Sequence, residues 1–333
     1  MIFYLIGIDY KTAEIKAREE AILLKKSFIQ FLGSDGQRNA RLFSTCNRFE
    51  IYDFAESENE AFYNLNILKK NFNYFFGNSY AFFGEKEVFK HLVRLACGLE
   101  SQLKAEGQIL EQLINFSSQK KLPENLKKIL DRAIYAARAV RAKVGLNNKA
   151  YTIADLVLED VVTKTNNAGP LKVIVIGTGK IAELFAVKPT SGFKFHFLAH
   201  KNYLKANELA KRAKGKADSL RKIDEVILDA DILISATSSP HCILAAEFFE
   251  KVMVKRKKTL CIYDLAIPRD IDPKVSKIDR VILKNMEDLS PLFERYNKAI
   301  EGKLLLLENF TQEQINKYEG FIDEANIKAG HAA

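Results

Sequence analysis

The 333-residue chain contains no tryptophan and only four cysteines, Cys46, Cys97, Cys242 and Cys261. These cysteines lie far apart and form no CxxC pair, so a disulfide scaffold and a zinc finger are both disfavoured. The five histidines form no HExxH or comparable pattern, and we expect no metal site. No apolar run approaches the ~20 residues of a membrane-spanning helix, and the N-terminus lacks the features of a secretory signal. These absences and the chain length predict a cytoplasmic protein with two sizeable domains and an appendage.

Positive charge is in excess, with a formal net charge of +9, and it is concentrated between residues 101 and 149. That stretch carries ten basic and four acidic side chains. Basic residues clustered on helical sequence can bind a phosphate backbone by releasing counterions. An ordinary solvated helix face would have the same composition. The charge pattern alone leaves both interpretations open.

The first 150 residues combine a strand–helix pattern with a group of helices. Strand-like runs over 2–10, 40–45, 49–54 and 79–83, with helices after the first and the third, give the order βαββαβ of a ferredoxin-like unit. From Glu85 to about Gly145 the apolar spacing is helical and continues through Leu99 and Leu103, and Pro123 separates two helical groups. We therefore predict one α/β-plus-helical domain over residues 1–150.

A second unit opens with a glycine motif. The apolar run 173–176 leads into Gly177-Thr178-Gly179-Lys180-Ile181-Ala182, a GxGxxA fingerprint between a strand and a helix. Gly177 permits the tight turn, Gly179 lets a pyrophosphate approach the backbone, and Ala182 packs the helix onto the sheet. Later strand-like runs at 193–200, 231–237, 260–266 and 280–284 predict a Rossmann dinucleotide-binding domain over 151–287. A Rossmann scaffold without a cofactor is the alternative.

The end of the second strand of this unit bears on the choice of cofactor. NAD sites usually place Asp or Glu there, where it binds the ribose 2′-hydroxyl. This chain has His200, Lys201 and Asn202 instead. Because a cation suits a 2′-phosphate, we predict NADPH rather than NADH. The alternative is that Lys201 is an ordinary surface lysine.

The segment 288–333 reads as helical to its end. Apolar residues recur every three or four positions from Leu289 to Ile322, which predicts a long amphipathic helix with at most one break. Such a helix cannot bury its apolar stripe alone. We therefore expect it to pack against another domain or a second chain.

A candidate nucleophile lies between the second and third predicted strands, in Ser44-Thr45-Cys46-Asn47-Arg48. A cysteine on a connection is more accessible than one inside a strand. The Arg48 guanidinium, two residues away, is expected to favour the thiolate, which is the nucleophilic form. Taken alone, a cysteine beside an arginine is more often structural, so the assignment depends on what accompanies it.

Four separated segments resemble the glutamyl-tRNA reductase family. Residues 44–48 match its nucleophile motif Ser/Thr-Thr-Cys-Asn-Arg, and residues 91–112 are similar to its signature HLxRVAxGLxSxxxGExQILxQ. Residues 264–273 resemble the family's DxAxPRDIDP, and the N-terminal GIDYKTA resembles GxNHKTA. With the GxGxxA motif in register, the resemblance covers roughly residues 5–290.

The resemblance implies NADPH-dependent reduction of glutamyl-tRNA(Glu) to glutamate-1-semialdehyde, the first step of 5-aminolevulinate and porphyrin biosynthesis. Cys46 would form a thioester with the glutamyl group, and His91 would donate a proton or orient a reacting group. Arg48 would pair with a substrate carboxylate. The family's substrate-binding positions correspond to Thr45, Asn47, Arg48, Ser101, Glu106, Gly107, Gln108 and Gln112. The spacing of Ser101, Gln108 and Gln112 predicts that they share one helix face.

The resemblance also implies domain roles and partners. Residues 1–150 would form the catalytic, glutamyl-tRNA-binding domain, 151–287 the Rossmann NADPH domain, and 288–333 a shortened dimerisation-type helical segment, which leaves homodimerisation open. The aminomutase that consumes the semialdehyde is a plausible partner. Tyr10 replaces the family's usual His, Ala105 replaces its Gly, and Gly107 stands where Pro is common. The loss of glycine at 105 and its gain at 107 are expected to move the backbone freedom of glycine two residues along the chain. Two alternatives stay open: a divergent homologue that binds tRNA or a pathway partner with reduced catalysis, and a generic NADP-dependent dehydrogenase.

Overall fold

The computed structural model describes residues 1–34, 39–72, 78–146, 151–164, 169–188 and 191–330. The chain divides into two compact units, one formed by residues 1–150 with 294–333 and the other by residues 151–293. Most of the C-terminal segment therefore belongs to the same unit as the N-terminal 150 residues. Within the described residues, no helix is long and apolar enough to cross a membrane, and no group of three or more His, Cys, Asp or Glu could hold a metal ion.

The first unit is built on a four-stranded antiparallel sheet in the order β2-β3-β1-β4. Because helices cover both faces of this sheet, its central strand β1 is apolar at nearly every position. Chain order and strand order together confirm the predicted ferredoxin-like arrangement. The elements are β1 (Ile2–Asp9), α1 (Ile15–Leu23), α2 (Lys25–Ser34), β2 (Arg41–Ser44), β3 (Arg48–Ala55), α3 (Glu58–Asn71) and β4 (Tyr80–Phe83).

Three helices complete the N-terminal part of this unit: α4 (Glu85–Ala96), α5 (Gln108–Ser117) and α6 (Glu124–Lys143). The prediction that the helical pattern continues through Leu99 and Leu103 is wrong, because α4 ends at Ala96 and residues 97–107 form a loop. Gly98 (φ 81°) and Ala105 (φ 62°) both have left-handed backbone conformations that a helix cannot contain. Leu99 and Leu103 are buried all the same, so the apolar spacing reflects burial within the loop.

The buried guanidinium of Arg141 in α6 holds the loop 97–107 in place. It donates hydrogen bonds to the carbonyl oxygens of Cys97 (3.0 Å), Ala105 (3.1 Å), Glu106 (3.1 Å) and Leu146 (3.3 Å). Other basic side chains of α6 are paired at the surface, where Lys127 contacts Asp131 and Lys128 contacts Glu124. These exposed pairs are compatible with both interpretations of the basic segment, which stay open.

The C-terminal helices are α12 (Ser290–Ala299) and α13 (Glu301–Gly330), so the predicted long helix is broken once, at Ile300. The apolar stripe of α13 packs against α4 and α6, with Leu307 and Ile315 fully buried. The rings of Tyr318 and Phe89 stack with centroids 3.7 Å apart. The apolar stripe of α13 is thus covered by the N-terminal helices of the first unit, which is the first of the two predicted arrangements.

The second unit has a six-stranded parallel sheet in the order β10-β9-β8-β5-β6-β7. Counted along the unit this is the strand order 3-2-1-4-5-6, which confirms the Rossmann prediction. Its strands are β5 (Leu171–Ile176), β6 (Phe193–Ala199), β7 (Lys216–Ser219), β8 (Ile232–Ser235), β9 (Leu260–Asp264) and β10 (Val281–Asn285). Its helices are α7 (Ile153–Lys164), α8 (Lys180–Ala186), α9 (Tyr203–Arg212), α10 (Ile223–Val226) and α11 (Ala246–Lys255), with 3₁₀ turns at Leu220–Lys222, Ile227–Asp229 and Pro273–Lys277.

Candidate active site

Cys46 lies on the tight turn that joins β2 to β3. The turn is closed by a hydrogen bond from Thr45 N to the Arg48 carbonyl (2.9 Å) and by one from Asn47 N to the Thr45 hydroxyl (3.2 Å). Neighbouring elements hold it from outside, because Tyr10 N donates to the Asn47 carbonyl (3.1 Å) and Arg18 donates to the Asn47 side chain (3.0 Å). The Cys46 side chain is therefore presented, half-buried, by a turn with little freedom.

The electrostatics at Cys46 correct the prediction of an Arg48-stabilised thiolate. Burial raises the pKa of the thiol to about 11, and the nearby charge of Glu106 acts in the same direction. Arg18 and Arg48 lower this pKa, but by less. Arg48 acts in the predicted direction, but it has the smallest effect of the groups named here. The resting nucleophile is a thiol, so the reaction must remove its proton.

We expect the alkylation of Cys46 by iodoacetamide to be slow at pH 8 and to accelerate about tenfold per pH unit up to roughly pH 11, because only the thiolate reacts. Glu106→Gln removes a charge that raises the thiol pKa and is expected to increase the rate at pH 8 severalfold. Peptide mapping after timed alkylation separates Cys46 from the other cysteines. The control Glu111→Gln, on the exposed side of α5, keeps the wild-type rate; an equal rate in Glu106→Gln would contradict the assignment.

A fully buried carboxylate, Glu50 on β3, organises the polar centre of the first unit. Its Oε1 accepts from Arg48 (2.7 Å) and Tyr80 (2.6 Å) and lies 2.9 Å from His91 Nε2, while its Oε2 accepts from Tyr52 (2.6 Å). Burial raises the pKa of this carboxyl, but His91, Arg48 and the hydrogen bonds outweigh burial and hold the pKa well below its usual range. Glu50 is thus a permanent anion between Arg48 and the predicted catalytic His91.

The sequence analysis did not identify Glu50, although a signal was present. Arg48, Glu50 and Tyr52 alternate along β3 and so project from the same face of the strand. Arg48 also donates to the Glu100 carbonyl (2.7 Å), and its side chain is buried. In this structure Arg48 binds protein groups, and its contact with a substrate carboxylate stays a prediction.

The loop 97–107 is linked to the cysteine turn through Tyr10, which bonds to both, and through Glu106, whose charge acts on Cys46. Tyr10, at the position where the family usually has His, donates from its hydroxyl to the Ser101 carbonyl (3.3 Å). Burial raises the pKa of Glu106, although a hydrogen bond with Ser101 and the charges of Arg48 and Arg141 partly oppose this. Burial likewise raises the pKa of Tyr10 to about 12, so Tyr10 remains a neutral donor. The site therefore groups Cys46 with Tyr10, Arg48, Ser101 and Glu106.

The remaining predicted substrate positions are arranged differently from the prediction. Gln108 and Gln112 are four residues apart on α5, but Ser101 lies in the preceding loop, so the predicted single helix face for all three is wrong. Gly107 has an ordinary α-region backbone (φ −89°), whereas Ala105 keeps the left-handed conformation at the position where the family has Gly. The left-handed conformation is therefore still required at residue 105, and the predicted shift of backbone freedom to residue 107 is wrong.

The glycine motif of the second unit leaves room for a dinucleotide. Gly177 has φ 112°, and a Cβ there would lie 2.4 Å from the Ala236 carbonyl oxygen, so only glycine fits this turn. A Cβ at Gly179 would meet nothing within 4 Å, which leaves the backbone open to a pyrophosphate. Ala182, on α8, is fully buried. Thr178 lies between the two glycines, and Lys180 and Ile181 are the first residues of α8. This arrangement fits a nicotinamide dinucleotide.

His200 and Lys201 directly follow β6 and are exposed. Asn202 accepts a hydrogen bond from Lys205 N (3.2 Å) and so begins helix α9. No carboxylate occupies positions 200–202, where an NAD site usually has one. The fold supports a nicotinamide cofactor, and the choice of NADPH over NADH remains a prediction.

The segment 264–273 lies at the carboxyl ends of strands β8 and β9, beside the glycine turn. Asp270 accepts hydrogen bonds from the Ser235 hydroxyl (2.7 Å), Thr237 N (2.9 Å) and the Thr237 hydroxyl (2.5 Å). Asp264 accepts from Ala266 N (3.2 Å) and Ile271 N (2.9 Å). Burial and the charge of Asp270 raise the pKa of Asp264 to about 7.

The raised pKa of Asp264 predicts a pH-dependent stability. Between pH ~4 and ~7 the folded chain holds a proton on Asp264 that the unfolded chain has released, so this residue's contribution falls as pH rises, by up to about 4 kcal/mol. Asp264→Asn is expected to remove this dependence. Denaturant unfolding of both proteins at pH 5 and pH 8 measures the difference. Asp224→Asn, an exposed control on α10, keeps the wild-type pH profile; an unchanged profile in Asp264→Asn would refute the assignment.

The two units match separate family models. Residues 6–145 match the N-terminal domain of glutamyl-tRNA(Glu) reductase, and residues 159–292 match shikimate/quinate 5-dehydrogenase. The glutamyl-tRNA reductase of Methanococcoides burtonii is 34% identical over 267 residues, which cover 76% of this chain and 60% of that protein. That of Archaeoglobus fulgidus is 30% identical over 325 residues, covering 96% of this chain and 71% of that protein. The solved structure of the Methanopyrus kandleri enzyme has 22% identity and a TM-score of 0.48 over 97% of this chain and 81% of that one.

The Rossmann unit and its glycine turn fit a nicotinamide cofactor, and the named relatives are reductases, so the class of protein is a nicotinamide-dependent oxidoreductase. The curated relatives, which are named as reductases, favour an enzyme over a protein retained only for binding. The chain belongs to the glutamyl-tRNA reductase family, whose members carry out the first step of tetrapyrrole synthesis. It spans about three fifths of the length of the Methanococcoides relative and about seven tenths of the Archaeoglobus one.

Proposed function

We propose that this chain reduces glutamyl-tRNA(Glu) to glutamate-1-semialdehyde through a thioester on Cys46. The observation that carries the proposal is the arrangement of a half-buried cysteine on a constrained turn beside Ser101, Glu106 and Arg48. Those residues are the family's nucleophile and part of its substrate-binding set. The proposed glutamyl-binding surface is completed by the other positions that match the family's substrate-binding residues: Thr45, Asn47, Gly107, Gln108 and Gln112.

In the first step Cys46 Sγ attacks the carbonyl carbon of the glutamyl ester. The bond from that carbon to the terminal ribose oxygen breaks, and the ribose hydroxyl leaves with a proton. Because the resting thiol is protonated, a base must accept its proton. We assign this role to Glu106, whose charge acts on Cys46. Its pKa is raised by burial toward neutral pH, where a general base works best. Glu106→Gln would then slow thioester formation while accelerating alkylation.

The second step needs a hydride donor. We assign its binding to the 177–182 motif and to His200 and Lys201, which favour NADPH. When bound, NADPH would supply the hydride that converts the thioester to the aldehyde and frees the Cys46 thiolate. His91, held by Glu50, would supply or orient a proton. The aldehyde product is reactive, so direct transfer to the aminomutase that consumes it, in the cytoplasm, is a reasonable extension.

Mass spectrometry of the intact protein tests the proposal. After mixing with glutamyl-tRNA(Glu) in the absence of NADPH, we expect a glutamyl adduct that peptide mapping places on Cys46 and that NADPH removes. Cys242→Ser is the matched control and should give the same adduct. Binding of the tRNA without any adduct would overturn the proposal and favour a protein that only binds tRNA.

A further inference from the structure

A cavity of about 300 Å³ lies in the first unit at the sheet edge where β1 ends. Its walls come from β4, from α4 and from the residues just after β1, and His91 is one of them. This volume is at the small end of the ~300–1,000 Å³ range of small-molecule sites. It could hold one nucleoside but not a longer stretch of nucleic acid. None of the predicted glutamyl-binding residues lines it.

One wall of the cavity is aromatic. Tyr80 and Phe82 project from β4 into it and are partly exposed, and the His91 ring lies 5.0 Å from that of Phe82. Partly exposed aromatic rings in a cavity that is otherwise lined by charged groups are the usual platform for stacking a nucleobase. The aromatic wall therefore favours a flat, unsaturated ring as the occupant.

The charged walls favour a nucleotide over a simple anion. Three carboxylates and three cations line the cavity, so it has no net positive charge that would attract phosphate alone. Asp9 Oδ1 accepts from Lys11 N (2.9 Å), and Glu100 is paired with Lys11 (2.5 Å) and Arg94 (2.8 Å). Each carboxylate oxygen has a further lone pair that can accept from an amino or hydroxyl donor of a nucleoside. The side chains of Lys11 and Lys90 are about half-exposed, and each is paired with a carboxylate of the cavity, Lys11 with Glu100 (2.5 Å) and Lys90 with Glu87 (3.8 Å). The longer and weaker pair makes Lys90 the lysine that can turn to a phosphate.

The cavity lies within one nucleoside's length of the nucleophile. Asp9 of β1 pairs with Arg48 of β3, and Tyr80 of β4 pairs with Gly7 of β1. Neighbouring strands are ~4.8 Å apart, so the β4 wall is about 10 Å from the strand that begins at the Cys46 turn. The ester that Cys46 attacks is on the terminal ribose of the tRNA, so the base on that ribose must lie within about this distance of Cys46.

We propose that this cavity receives the 3′-terminal adenosine of the charged tRNA, with the adenine against Phe82 and the adjacent phosphate near Lys90. The inference rests on the proposed function. It adds a subsite that orients the ester toward Cys46, and it makes Phe82 and Lys90 specificity-determining residues for the nucleic-acid end of the substrate.

The test compares the binding of uncharged tRNA(Glu) with that of the same tRNA lacking its terminal adenosine. Stacking of one base on an aromatic ring predicts that the wild-type protein binds the intact tRNA about tenfold more tightly or better. Phe82→Leu and Lys90→Gln should each reduce this ratio toward one. Phe62→Leu, at an exposed ring beside Phe83, and Lys86→Gln, on the first turn of α4, should keep the wild-type ratio.

The outcomes separate the subsite from the proposed function. A wild-type ratio in both Phe82→Leu and Lys90→Gln, or no dependence on the adenosine in the wild-type protein, would overturn the subsite even if Cys46 still forms its adduct. Weaker inhibition by free glutamate in those two variants, with an unchanged adenosine ratio, would show a glutamyl pocket instead and would also overturn it. Lys90→Gln changes an exposed side chain, so the test does not depend on how Phe82→Leu folds.

Discussion

Replacement of Cys46 by serine is expected to reduce semialdehyde formation from glutamyl-tRNA(Glu) and NADPH by about a thousandfold or more. A serine hydroxyl is a far weaker nucleophile, and its oxygen ester with glutamate would be a poorer hydride acceptor than the thioester. Folding should be unaffected, because the backbone and the side chains of Thr45 and Asn47 hold the turn. Initial rates of aldehyde formation at saturating substrate measure the effect, and thermal unfolding checks the fold.

Cys242→Ser is the matched control for this prediction. Cys242 is an exposed cysteine of the second unit. Its thiol donates a hydrogen bond to the Leu244 carbonyl (3.4 Å). Its replacement should leave the rate within about twofold of wild type, as surface substitutions usually do. Retention of substantial activity in Cys46→Ser would show that the ester is reduced by another route and that the thioester mechanism is wrong.

The architecture could be predicted from the sequence because its signals are local. Alternation in residues 49–54 and the glycine turn after 173–176 each identify an element without knowledge of distant residues. Chain order then leaves few ways to assemble them, and the ferredoxin-like and Rossmann strand orders followed. The burial of Leu307 and Ile315 likewise follows from the spacing of the C-terminal stripe, whereas the spacing allowed one break without placing it at Ile300.

The errors concern features that depend on residues far apart in the chain. Apolar spacing extended α4 through Leu99, but Gly98, Ala105 and the distant Arg141 make residues 97–107 a loop. Arg48 lowers the pKa of Cys46 as expected, but burial and the charge of Glu106 outweigh it and leave the thiol protonated. Neither burial nor the partner of a charged side chain can be determined from sequence spacing. The substrate contacts of the carried-over residues stay predictions for the same reason.

Glu50→Gln is expected to lower the free energy of unfolding of the first unit by about 3–5 kcal/mol, since breaking a buried ion pair leaves an uncompensated charge. Arg48 would remain buried without its anion, and a neutral amide cannot accept equally well from Arg48, Tyr52 and Tyr80. Denaturant unfolding followed by circular dichroism measures the loss. Glu111→Gln, the exposed control on α5, should change the stability by less than about 0.5 kcal/mol.

Combining Glu50→Gln with Arg48→Met separates the ion pair from general damage to the core. If the loss in Glu50→Gln arises from the unpaired Arg48 cation, removing that cation should recover part of it, because a buried ion pair can often be replaced by apolar side chains at little cost. The double variant should then be more stable than Glu50→Gln alone, with a coupling free energy of about 1–3 kcal/mol in the four-protein cycle. Purely additive losses would show that the two charges do not depend on each other and that Glu50 acts through Tyr52, Tyr80 and His91.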